Sequence, residues 1–172
     1  MYRRLGSALA FCLLSTSGFA ATSYQQLLDD EANGADWLSY SGGYRSERFS
    51  PLAQINTRNV DALKVIWAYQ MQPTTISGAG LQETTPLVAD GIMYLTQRPN
   101  DVVALDARTG RVFWIYRYPT PPDQTACCGS NNRGVAVLGD TVFIATLDAH
   151  LVAIDAVTGG ELWNVEVADM EA

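Results

Sequence analysis

The chain has 172 residues, a formal charge of −7, and 48% hydrophobic against 17% charged residues. That is a globular composition at a length that suits one ordinary domain. Without a basic run it lacks the clustered Lys and Arg that phosphate contact needs, which argues against nucleic-acid binding, and no apolar run reaches the roughly 18 residues of a membrane helix.

In chain order, the first element is an address. Arg3 and Arg4 precede an apolar stretch from Leu5 to Leu14, and small residues follow, ending at Gly18-Phe19-Ala20-Ala21. A basic segment, a short apolar segment and a small-residue cleavage site predict a secretory signal peptide over 1–20, with a mature chain of 152 residues in an oxidising, periplasmic compartment. Cys12 falls inside the signal, and Phe11 before it does not suit a lipoprotein site. The mature chain then holds two cysteines, Cys127 and Cys128.

The body repeats. At a displacement of 49 residues, Val103-Ala104-Leu105-Asp106-Ala107-Arg108-Thr109-Gly110, ending at Trp114, falls without a gap on Val152-Ala153-Ile154-Asp155-Ala156-Val157-Thr158-Gly159, ending at Trp163. A degenerate earlier copy ends at Trp67, 47 residues before Trp114. Within one unit, Asp90-Gly91 is a turn signal before the run Ile92 to Thr96. A loop leads to Val102–Leu105, and a tight Asp-Ala-Arg-Thr-Gly turn leads to Val112–Tyr116. These runs are short, β-branched or aromatic, and bounded by Gly, Asp and Asn, as strands and hairpins require.

An all-β unit of this period predicts a β-propeller blade, whereas a β-sandwich gives no reason for a gapless repeat. The mature chain holds about three units, and propellers close with about four to eight blades. The repeat region 21–172 therefore reads as a truncated, incomplete propeller whose last strand ends near Val167.

Three features carry chemistry. Cys127-Cys128 can bond to each other through a strained eight-membered ring or stay as two thiols. A metal site is the weaker reading, since His150 is the sole other soft ligand and a structural zinc wants about four. Arg133, in the Gly/Asn-rich loop Gly129-Ser130-Asn131-Asn132-Arg133-Gly134, can make a bidentate contact with a carboxylate. Glu83 stands just before a predicted strand. Taken singly, Arg133 and Glu83 are both ordinary surface residues.

Together these features resemble the N-terminal portion of the pyrroloquinoline quinone (PQQ)-dependent alcohol dehydrogenases, the methanol/ethanol quinoprotein family. The similarity runs from about Asp36 to Ala168. It includes Asp36-Trp37, Arg48-Phe49-Ser50-Pro51-Leu52, Gln82-Glu83-Thr84, Cys127-Cys128, Asn132-Arg133-Gly134-Val135-Ala136 and Thr146-Leu147-Asp148-Ala149. Both Ala-x-Asp-x-x-Thr-Gly-x-x-x-Trp segments match the family's tryptophan-docking motif.

The resemblance implies an eight-bladed propeller with PQQ near its axis. It implies that Cys127 and Cys128 form a vicinal disulfide over one face of the quinone, and that Arg133 and Glu83 contact the cofactor's polar edge. PQQ carries carboxylates, which suits Arg133, but a Glu beside an anion is repelled unless it is protonated or paired with a cation.

It also implies alcohol oxidation with Ca²⁺ or a lanthanide as Lewis acid, and a cytochrome or quinone as electron acceptor. The family's catalytic aspartate, its metal ligands and the opposing Trp have no matching position here, so no residue is assigned a catalytic or metal role and the chain alone is expected to be inactive. The alternative is a non-enzymatic repeat propeller that serves as a scaffold for protein partners.

Overall fold

The computed structural model describes residues 21–32, 34–72, 82–121 and 129–170. The predicted signal segment and the Cys127-Cys128 pair lie outside the described residues. A short helix, α1 (Tyr24–Asp29), opens the described chain. Ser23 caps it reciprocally with Gln26, satisfying two backbone donors at the helix start.

Eight strands follow among the described residues: β1 (Leu87–Ala89), β2 (Ile92–Gln97), β3 (Asp101–Asp106), β4 (Val112–Tyr116), β5 (Ala136–Leu138), β6 (Thr141–Ala145), β7 (His150–Asp155) and β8 (Glu161–Glu166). They form two antiparallel four-stranded sheets in sequential order, β1-β2-β3-β4 and β5-β6-β7-β8. Each is a meander in which every strand pairs with the next in sequence, as expected of one propeller blade.

The turns explain the pairing. Asp90 (φ 49°) and Gly91 (φ 76°) both adopt positive φ between the paired residues Ala89 and Ile92, the requirement of a type I′ hairpin. The 49-residue repeat extends to an irregularity: the register shifts between Ala104 and Leu105 in one sheet and between Ala153 and Ile154 in the other. Both shifts immediately precede the Asp-x-x-Thr-Gly turn. There Asp106 Oδ1 accepts the amides of Arg108 and Thr109, and Asp155 Oδ1 accepts those of Val157 and Thr158.

The two sheets pack face to face. Tyr94, Val102, Ala104 and Tyr116 of the first join Val142, Ile144, Val152 and Ile154 of the second in one buried cluster. Successive residues of β3 alternate, so Val103 and Leu105 point the other way, where Tyr69 and Met71 cover them. β3 is thus buried on both faces, and each of its fully buried aliphatic side chains contributes about 1.5–3 kcal/mol.

The degenerate first copy takes a different form from the other two. Among the described residues, 34–72 hold no multi-residue strand, and Trp37 makes one isolated bridge to Val88. Trp67 nevertheless docks on the next repeat, its ring lying against Gly110. Trp114 lies the same way against Gly159 and also donates its indole N–H to the Ala156 carbonyl at 3.1 Å.

Candidate functional site

The site lies where β2 outruns its partner. β1 pairs with β2 no further than Leu87 opposite Tyr94, so among the described residues no strand pairs with Thr96 on that edge. The segment leading into β1 supplies side chains instead. Thr84 Oγ1 accepts the Thr96 amide at 3.0 Å, and Gln82 Nε2 donates to the Thr96 carbonyl at 2.7 Å. Between those two residues Glu83 points elsewhere, to the second sheet's entry loop.

There Arg133 meets it, with Nη2 2.8 Å from Glu83 Oε2. The arginine side chain is 59% exposed and the glutamate 35%. The two residues that sequence alone leaves as separate surface positions, 50 apart in the chain, form an ion pair. The cation beside Glu83 is what a carboxylate needs in order to stand next to an anionic ligand. A guanidinium has about five N–H donors, and one nitrogen contacts Glu83, so Arg133 keeps donors for a further carboxylate.

The loop that carries Arg133 is held from both sides. Asn132 is buried; its amide donates to the Ala145 carbonyl at 2.8 Å, and its side-chain oxygen accepts the Gly134 amide at 3.2 Å. The Thr85 amide donates to the Arg133 carbonyl at 3.0 Å. Gly134 sits at φ 144°, and a Cβ there would come within 3.2 Å of the Thr85 carbonyl oxygen, so the close approach of the two segments requires glycine. Among the described residues, Asn131 Oδ1 is buried without a hydrogen-bond partner. Ser130, at the start of the same loop, accepts two donors from Arg98, at 3.2 and 2.6 Å.

A second polar group braces the same end of the sheets. Asp101 is fully buried, with Arg117 Nη1 at 2.6 Å and the Tyr118 amide at 3.1 Å. The Tyr118 hydroxyl donates to Asp148 at 2.9 Å, joining the two sheets. Burial, then the Asp148 carboxylate that it bonds, raises the Tyr118 pKa. Sequence alone assigns no role to Thr84, Thr96 or Asn132. The alternation Gln82-x-Thr84 before a short strand is the signal that could have flagged the first of them. Among the described residues, no group of three or more His, Cys, Asp or Glu side chains could hold a metal ion.

A family model described as the β-propeller domain of glucose/ethanol/alcohol dehydrogenases, PQQ type, matches residues 37–167. The chain belongs to this family. Among curated relatives, the quinoprotein alcohol dehydrogenase PedH of Pseudomonas putida is 40% identical over 161 residues, covering 94% of this chain and 27% of the relative.

Two solved structures extend the likeness. The quinohemoprotein alcohol dehydrogenase ADHIIG of Pseudomonas putida HK5 superposes with a TM-score of 0.76 at 36% identity, over 89% of this chain and 22% of that one. A europium-containing methanol dehydrogenase superposes at 0.73 with 33% identity, over 84% and 25%. The chain spans about a quarter of the length of these PQQ dehydrogenases. Its two sheets are two blades of the family's propeller. Among the described residues no helix is long and apolar enough to cross a membrane.

Proposed function

We propose that this chain forms one side of the PQQ pocket of a periplasmic quinoprotein alcohol dehydrogenase. The observation that carries the reading is the Glu83–Arg133 ion pair, which joins the entry loops of two blades and leaves arginine donors exposed to a ligand. The residues fit a polycarboxylate cofactor: an exposed guanidinium on a loop pinned at both ends, and a glutamate whose charge is already offset.

Arg133 would hold a cofactor carboxylate, and Glu83 would fix the guanidinium plane. Cys127 and Cys128, as a vicinal disulfide, would close one face of the ring system. When bound, PQQ supplies a two-electron acceptor for alcohol oxidation, with Ca²⁺ or a lanthanide as Lewis acid held by residues outside this chain. A cytochrome or quinone would take the electrons onward. The chain holds no match to the family's catalytic aspartate, and we expect no alcohol oxidation by it alone. A protein-binding scaffold has no need of a solvent-facing arginine held this way.

Equilibrium dialysis of the chain against PQQ tests the reading. Because the chain supplies one side of the pocket, we expect weak, saturable binding that falls about tenfold or more in Arg133→Ala, the scale for loss of a charge-assisted bond. Absence of saturable binding, or an unchanged affinity in that variant, would overturn it. Thiol titration without reductant should find Cys127 and Cys128 unreactive, and two titratable thiols would remove the disulfide from the proposal.

A further inference from the structure

We infer that Thr96 is a positioning residue for the cofactor arginine: a buried hydroxyl relay through it fixes the backbone on which Arg133 stands. The inference rests on the reading of Arg133 given above. Thr96 is fully buried and touches no surface from which it could meet a ligand. Its hydroxyl oxygen lies 2.9 Å from Thr84 Oγ1 and 3.0 Å from the Asn132 carbonyl oxygen.

Each hydroxyl has one proton, and a carbonyl can only accept. The proton of Thr96 therefore goes to the Asn132 carbonyl, and that of Thr84 goes to Thr96. Thr84 in turn accepts the Thr96 amide. The result is a directed relay from the Thr96 amide through Thr84 and back through Thr96 to Asn132, with every proton placed.

The Asn132 carbonyl belongs to the peptide plane that precedes Arg133. The plane that follows is held at both ends: its carbonyl accepts the Thr85 amide, and its N–H, on Gly134, donates to Asn132 Oδ1. With both flanking peptide planes fixed, φ and ψ of Arg133 are fixed. The same relay holds Thr84, whose neighbour Glu83 takes the guanidinium. Thr96 thus sets both partners of the ion pair while contacting neither side chain.

Two measurements on the full chain test this. In the first, side-chain ¹⁵N relaxation of the Arg133 Nε–H is read without cofactor. Thr96→Val, which keeps the shape and loses the hydroxyl, should lower the order of that group, and Thr96→Ser should retain it. In the second, PQQ dialysis should show about tenfold weaker binding for Thr96→Val and no more than about twofold for Thr96→Ser. On an Arg133→Ala background, Thr96→Val should cost no further affinity, because the residue it positions is gone.

Unchanged order in Thr96→Val, unchanged affinity, or effects that add in full to Arg133→Ala would each overturn the inference. If the unaltered chain fails to bind PQQ, the cofactor reading falls and the relaxation measurement alone decides the relay. Should Thr96→Val fail to fold, Thr84→Val interrupts the same relay from its less buried end and takes its place in both arms.

Discussion

The strands β4 and β8 are the same piece of sequence used twice, with opposite outcomes. Both close a sheet, and both end an Ala-x-Asp-x-x-Thr-Gly-x-x-x-Trp segment. Trp114 on β4 is half-buried, packed on Gly159 of the next repeat and bonded to the Ala156 carbonyl, which also accepts the Tyr94 hydroxyl at 3.2 Å. Trp163 on β8 is 41% exposed, with a ring contact to Phe143 of its own sheet 5.9 Å away, and every residue of β8 is exposed. Local pairing builds the strand in both cases. The docking contact lies between repeats, where a Gly turn of the following repeat receives the ring, as it does for Trp67 and Trp114.

The largest expected effect follows directly. Trp114→Ala should destabilise the fold by about 3 kcal/mol, through lost burial, the cavity left behind and an orphaned share of the Ala156 carbonyl. Trp163→Ala should cost about 1 kcal/mol or less. Urea midpoints of the two variants against the parent chain measure both. Equal losses would show that the motif stabilises its own sheet, and the comparison would fail.

The receiving turn offers a smaller effect. At Gly159 (φ 74°) a Cβ would come within 2.7 Å of the Trp114 ring, while at Gly91 (φ 76°) it would meet nothing within 4 Å. Both positions pay the left-handed conformational cost of alanine, about 1–2 kcal/mol. Only Gly159 adds a clash that must displace an indole, worth about 1–3 kcal/mol more. Gly159→Ala should therefore lower the urea midpoint further than Gly91→Ala. A Trp114→Ala, Gly159→Ala double variant should recover the clash component, because the ring it meets is gone.

What could be read in advance divides along the same lines. The strands Val102–Leu105 and Val112–Tyr116 were legible because short apolar runs bounded by turn residues and a gapless repeat are local signals. The first copy was legible as a degenerate repeat ending at Trp67, and its lack of a paired sheet and its docking on Gly110 were not: Leu63 to Met71 has strand-like residues, yet among the described residues Tyr69 and Met71 serve to cover Val103 and Leu105. Glu83 and Arg133 were individually visible, but their pairing depends on where β1 stops along β2, a register that no single residue announces. Thr96 was read as the end of an apolar run. Its use by two loops from different sheets is a tertiary fact, invisible to any window along the chain.

The smallest expected effect separates the two Asp-x-x-Thr-Gly turns from each other. The backbone amide of Arg108 first, and then hydrogen bonds to Thr109, hold the Asp106 carboxyl below its ordinary value of 3.8, with the Arg111 charge adding to the shift. Asp155 is lowered chiefly by the Thr158 amide and hydroxyl, with no basic side chain contributing. Both folded values lie below the unfolded one. The stability they contribute is therefore complete above the unfolded value near 3.8 and is lost as pH falls through the folded values. Salt separates the turns, since at about 1 M it screens charge over roughly 3 Å while leaving hydrogen bonds in place. Carboxyl ¹³C titrations at low and high salt should move Asp106 back toward 3.8 and leave Asp155 nearly where it was. If both move alike, the two turns are held by the same forces, and the electrostatic difference between the turns disappears.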